Sequence, residues 1–394
     1  MSLTNPCLRN LRKLGALLFI TLAPTLPGFE SAAGATAGKD LVYLGTYTDH
    51  GSKGIYVYRF DAATGQVTAL GLAAESTEPS FLAVDPSHHF LYAVHEVDSY
   101  KGQHTGAVSA FAIDSGTGTL SLLSQVSSRD AGPAHITLDQ TGKYVFVSNY
   151  TLGSVAVFPV LQDGRLGDFS AFVRHKGSSV NMERQEGPHA HEVALSPDNR
   201  FAVVADLGLD KLIVYPFDPA SGMLGQEPHV TKTRAGAGPR HLVFDPSGNF
   251  LYVINELQSS VVSYSYDAAR GELHELKTIS TLPEKFAGNN DAAEIAIHPS
   301  GKFLYASNRG HDSIAVFSVA PATGTLTHVE FVPTKGKTPR NFAIDPTGSW
   351  LLVANQASDD VVVFRIDNKS GRLTPTGQVL SVPSPACVKF VPLP

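Results

Sequence analysis

Short apolar runs alternate with polar residues at a period of two along most of the chain, and the runs break at glycine, proline, asparagine and aspartate. That pattern predicts many short strands joined by tight turns. One unit recurs: a proline, two variable residues, an alternating strand, Asp-Pro-x-Gly, a second apolar strand and an asparagine. Residues 239–255 read PRHLVFDPSGNFLYVIN and residues 339–355 read PRNFAIDPTGSWLLVAN. Further copies centre on Asp85-Pro86, Asp139-Gln140, Ser196-Pro197 and His298-Pro299. The residues equivalent to Pro86 fall at 86, 140, 197, 246, 299 and 346, giving intervals of 54, 57, 49, 53 and 47. Repeats of about fifty residues built from alternating strands are propeller blades. Each copy continues into a third strand, such as Ser313–Phe317 or Asp360–Phe364. A hairpin turn and a fourth strand follow, as in Asp218–Leu224 and Asp367–Leu373.

The ends supply a seventh blade. Pro385–Phe390 matches a first strand, Leu41–Thr46 a second and Gly54–Tyr58 a third. The expectation is an all-β, seven-bladed propeller of four-stranded blades over residues 36–394, closed by pairing of its N- and C-terminal strands.

Composition supports short strands over long helices, since only 17% of residues are charged while glycine and proline number 35 and 25. The formal charge of -6 comes with no basic run, which argues against nucleic acid or an anionic membrane as partner. Residues 1–35 resemble a secretory signal: Arg9, Arg12 and Lys13 precede an apolar stretch from Leu14, and Ala33-Gly34-Ala35 offers a cleavage site. Pro24 and Pro27 break that stretch, so no stable membrane insertion is expected after its removal. The mature chain is expected in the periplasm or outside the cell, as a monomer or weak homo-oligomer. With Cys7 in the signal, Cys387 stands alone in a strand-like context and reads as small core filler.

In a propeller, the turn before each first strand and the exit of each second strand lie near the axis. After the blade-opening residues the copies carry Ser80, Ala134, His191, Arg240, Ala293 and Arg340, followed by Phe81, His135, Glu192, His241, Glu294 and Asn341. Second-strand exits carry Tyr47, Glu96, Tyr150, Leu207, Glu256, Arg309 and Gln356. A ring therefore gathers His191, Arg240, Glu256, Arg309 and Arg340 at one depth. The His189-x-His191-Glu192 cluster has no cysteine or His-Glu-x-x-His partner, so neither metal nor other cofactor is expected.

Arg184-Gln185-Glu-Gly-Pro-His189-Ala-His191, Gly-Pro-Arg240-His241, Val-Ile-Asn-Glu256 and Ser-Asn-Arg309-Gly-His311 resemble the serial motifs of propeller-type lactonases, the family of 6-phosphogluconolactonase and carboxymuconate cyclase. The resemblance runs from about residue 40 to the end. It implies hydrolysis of a small lactone, with His191, Arg240, Glu256 and Arg309 as the catalytic set. Such chemistry needs a base for water, a cation for the oxyanion and an acid for the leaving alkoxide. His191 is the expected base, with Glu256 orienting it or serving as base itself. Arg240 or Arg309 would stabilise the oxyanion. Arg184, Gln185, His189, His241 and Arg340 would bind substrate. The alternatives are a non-catalytic exported binding or scaffold propeller, and a cyclase forming a lactone from a muconate-type diacid.

Overall fold

The computed structural model describes residues 39–393; the signal segment lies outside them. The described chain is β throughout, 29 strands with a single 3-10 turn at Gln356–Ser358. The strands form seven antiparallel sheets. First strands of successive sheets touch around a complete cycle, so the sheets are blades of a closed ring. Blades 1 to 6 open at Leu82–Val84, Pro133–Leu138, Ala190–Leu195, Pro239–Phe244, Asp291–Ile297 and Pro339–Ile344.

Blade 7 joins the chain ends. Its inner strand, Pro385–Val391, pairs antiparallel with Lys39–Thr46, with Leu44 opposite Val388 and Val42 opposite Phe390. Gly54–Asp61 and Gln66–Glu75 complete it. Blade 3 departs from four plain strands. Its outer strand is split into Met223–Leu224 and His229–Lys232, which both pair with Lys211–Asp218. The interruption carries Gly225 and Pro228, a flexible residue and one without an N–H for the ladder.

The Asp-Pro-x-Gly turns behave as their chemistry requires. Asp245 Oδ1 accepts the Phe250 N–H at 2.8 Å and Oδ2 accepts that of Ser247 at 3.1 Å. Gly248 supplies the left-handed backbone at φ 73°. Where the repeat lacks glycine, His88 and Asn199 take φ 60° instead, residue types that tolerate this region.

Apolar side chains pack between blades. Tyr252 and Ile254 of blade 4 meet Ile295, Leu304 and Phe317 of blade 5 in one cluster, and equivalent clusters recur around the ring. Each fully buried large side chain contributes about 1.5–3 kcal/mol. Tyrosines stitch neighbours together: the hydroxyls of Tyr43, Tyr92 and Tyr305 donate to the carbonyls of Gly118, Gly164 and Gly371 in the next blade. Cys387 is fully buried in this packing, and burial pushes its thiol up to about 11.

The strand register has a consequence for the axis. In blades 2, 3, 4 and 6 the ladder skips one residue of the first strand: Ala134, His191, Arg240 and Arg340. Blade 5 shifts between Ala292 and Ile295, and blade 7 skips Ala386. These are β-bulges, in which two residues oppose one and a side chain is re-aimed. In these six blades one residue near the start of the first strand is therefore extra to the sheet and free of its strict in-out alternation.

Candidate active site

Bulge residues and second-strand exits together build a cavity of about 190 Å3, lined by Glu96, Ala134, Tyr150, Arg184, His191, Glu256, Arg309 and Arg340. Glu256 directly follows Phe250–Asn255, and its own N–H donates to the Gly238 carbonyl at 2.7 Å. Arg309 ends the strand Phe303–Arg309 and is steadied by the carbonyls of Asp291 and Ala292. Arg184 arrives on a loop outside the ladder, whose turn is tied by the Gln185 N–H to the Asn181 carbonyl at 2.6 Å.

Glu256 organises the floor. Arg184 hydrogen-bonds its Oε1, while Arg240 Nε and an Nη of Arg309 each lie 2.9 Å from Oε2. The Arg240 contact is a charge pair whose N–H points off the hydrogen-bond line. Burial alone would raise the Glu256 carboxyl, but the guanidiniums of Arg309, Arg240 and Arg184 overcome it and bring the group to about 2. Both carboxylate oxygens are taken up by guanidiniums, which counts against Glu256 as base and fits it as the anion that gathers cations. Arg240, fully buried, is lowered to about 10 by burial and by Arg309, yet stays charged at neutral pH.

Glu256→Gln is expected to lower stability by about 3 kcal/mol, because it leaves buried guanidiniums without their counter-charge. The Glu256 contribution is complete above its ordinary value of 4.5 and fades as pH falls towards 2. Denaturant titrations at pH 7 and pH 3 check this: the gap between wild type and variant should narrow at the lower pH.

His191 is 4% exposed, and its Nδ1 is buried without a hydrogen-bond partner. Nε2 is left as the nitrogen that reaches the cavity. Burial, then the charges of Arg240, His241, Arg340 and Arg309, hold the imidazole well below its usual range, so it is neutral at neutral pH. Tyr150 and His241 meet its ring edge-on, with centroids at 5.5 and 5.0 Å. Arg340 lies over the Tyr47 ring at 5.1 Å, and Tyr47 donates to Glu96 Oε2 at 2.7 Å. Arg340 itself has no ion-pair partner among the described residues.

The structure thus brings His191, Glu256, Arg309, Arg184 and Arg340 onto one cavity. Arg240 lies beneath Glu256 instead of on the wall. Gln185 is turned to the backbone, its Nε2 donating to the Leu207 carbonyl at 2.8 Å. His189 stacks on Tyr150 at 4.5 Å with its Nδ1 at 2.9 Å from the Tyr150 carbonyl, so it supports the wall from behind. His241 sits below His191. Tyr150 and Glu96, which the repeat places among the strand exits, with Glu96 a weaker site candidate in the sequence, complete the wall from the same position as Glu256 and Arg309. That shared position is the signal that finds them. Among the described residues no group of three or more His, Cys, Asp or Glu side chains has metal-holding geometry.

Known proteins share this arrangement of blades. A 6-phosphogluconolactonase of Bacillus subtilis is 37% identical over 353 residues, covering 90% of this chain and 99% of that protein. A 6-phosphogluconolactonase of Formosa agariphila is 37% identical over 306 residues, 76% of this chain and 85% of that one. The solved structure of a periplasmic gluconolactonase from Pseudomonas aeruginosa superposes with a TM-score of 0.85 at 37% identity, covering 90% of this chain and 99% of that one. The family model described as Lactonase, 7-bladed beta-propeller matches residues 41–390, and with these relatives it shows that the chain belongs to that lactonase family.

Proposed function

We propose that this lactonase hydrolyses a sugar lactone by direct attack of water. One observation carries the reading: a neutral imidazole and the guanidiniums of Arg309 and Arg340 converge on a single small cavity. His191 Nε2 takes a proton from water as the water attacks the lactone carbonyl. The guanidinium of Arg309, fixed by Glu256 and two backbone carbonyls, stabilises the oxyanion. The proton on His191 then passes to the ring oxygen as the C–O bond breaks, leaving a hydroxy acid. The surrounding guanidiniums make imidazolium costly, so His191 returns its proton readily. Arg240 acts through Glu256, and Arg184 and Arg340 receive the carboxylate as it forms.

An unphosphorylated aldonolactone is the favoured substrate. The cavity lies below the ~300 Å3 lower range of drug-sized pockets and suits one sugar ring. The signal-like residues 1–35 argue for export, away from phosphorylated intermediates. The periplasmic gluconolactonase of Pseudomonas aeruginosa supports the same choice by analogy. A panel of plain and 6-phosphorylated sugar lactones followed by pH-stat decides it, and turnover of none of them overturns the reading.

Arg340→Ala is expected to raise KM by roughly 10- to 100-fold with a smaller change in kcat, the loss of one or two charge-assisted hydrogen bonds. Steady-state kinetics on the best lactone of the panel checks this split.

A further inference from the structure

We propose that His241 and Glu294 are positioning residues for the lactonase site, locking the Arg240 guanidinium beneath Glu256 through a hydrogen-bond chain that can run in only one direction. This rests on the lactonase reading of the site, and neither residue touches the cavity where substrate is placed.

The direction follows from donor and acceptor chemistry. Arg240 Nη1 lies 3.2 Å from His241 Nε2, and a guanidinium only donates. His241 Nε2 must therefore be the bare nitrogen, and the proton sits on Nδ1. Nδ1 faces Glu294 Oε1 at 3.2 Å and donates to it. The chain is fixed from its far end as well. The Val388 N–H donates to Asn341 Oδ1 at 2.9 Å, which turns the Asn341 amide nitrogen towards Glu294 Oε2, where it donates. Glu294 Oε1 also accepts the Ile295 N–H at 3.0 Å. Every hydrogen-bond partner of the carboxylate is a donor, a pattern suited to an anion. The same Arg240 Nη1 donates to the Ala293 carbonyl at 2.9 Å, tying the guanidinium to the blade that carries Glu294.

The chain runs through blades 4, 5, 6 and 7. It links the C-terminal strand to Arg240, and Arg240 to the Glu256 carboxylate on the cavity floor. His241 also packs edge-on against His191 at 5.0 Å, so its place sets the ring of the proposed base. Such a chain has a pH at which it weakens. Glu294 is faced by His241 and Arg240 of blade 4, Asn341 of blade 6 and Lys389 of blade 7, while Glu192 of blade 3 lies 3.8 Å from the same His241 Nδ1. His135 of blade 2 lies beyond, its ring 5.5 Å from that of His241. Burial raises Glu294 to about 7 against the pull of Lys389 and Arg240. A second cavity of about 470 Å3, on the side of the Asp-Pro-x-Gly turns, is lined by Glu192, Glu294 and Lys389 and gives the carboxyl a route to water. Protonation of Glu294 removes an acceptor from the chain and frees Arg240 to shift.

The test pairs kinetics with a direct view of the proton. Glu294→Gln, a neutral mimic of the protonated acid, should lower kcat by roughly 10- to 100-fold with little change in KM, as a displaced guanidinium would. It should also remove the limb of the kcat–pH profile near pH 7. Asn341→Asp places a second carboxyl beside Glu294 and should move that limb to higher pH. Wild-type kcat, or an unaltered limb, in a folded Glu294→Gln protein overturns the proposal. Nitrogen-15 shifts of His241 in histidine-labelled wild-type protein at pH 8 give a readout independent of turnover. A neutral ring protonated at Nδ1 is expected, and a ring protonated at Nε2, or at both nitrogens, overturns the chain even if the lactone panel succeeds. An Nδ1–H ring in a protein that opens no lactone would instead sink the lactonase reading and leave the chain standing as architecture.

Discussion

Deletion of residues 385–394 is expected to abolish folding of the whole ring, not to trim one blade. The lost strand is the inner strand of blade 7 and touches the first strands of blades 1 and 6. Ala386, Cys387, Val388 and Val391 are all at most 2% exposed within it. Without it, Lys39–Thr46 becomes an open sheet edge carrying Leu41, Val42, Tyr43 and Leu44, each fully buried in the intact protein. Asn341 loses the Val388 N–H in the same step. The measurement is thermal unfolding followed by near-ultraviolet circular dichroism. The truncated chain should show no cooperative transition and should associate through the exposed edge. A monomeric product melting near the wild-type temperature would refute the closure argument.

His191→Ala should lower kcat by about 10²- to 10⁴-fold, the usual worth of a positioned proton-transfer group. The thermal midpoint should move little. Removing this ring strands no partner, because its buried Nδ1 makes no hydrogen bond. A histidine kept for architecture would show the reverse, a stability loss larger than the rate loss. Measuring both on one preparation separates the two roles. Unchanged kcat on every lactone that the wild type opens would remove His191 from the mechanism.

The ring was readable from sequence because repetition amplifies weak local signals. Six Asp-Pro-x-Gly-type turns at nearly constant intervals locate the blades, and the unmatched half-units at the two ends imply closure. The split outer strand of blade 3 was not readable, since Gly225 and Pro228 look like any loop until pairing partners are known. At the site, the axial positions of His191, Glu256, Arg309 and Arg340 follow from their place in the repeat. Which residues reach the cavity does not. Arg240 shares its repeat position with Arg340, yet Glu256 draws it below the floor, an outcome set by ion pairing between strand ends distant in sequence. Gln185 and His189 sit within the motifs, but the Leu207 carbonyl and Asn181 N–H take up the Gln185 amide, and the Tyr150 carbonyl and Glu186 take up the His189 ring. Tyr150 and Glu96 reach the wall without any motif to mark them.

Because the first-strand bulges stand outside the ladder, the positions they create are interchangeable seats around the axis. Three of them hold alanine: Ala134, Ala293 and Ala386. Ala134 already forms part of the cavity wall. A larger or charged side chain there would enter that cavity from a position outside the ladder. The scaffold can thus change what it accepts one blade at a time, and its chemistry can diversify while the sheets that carry it stay the same.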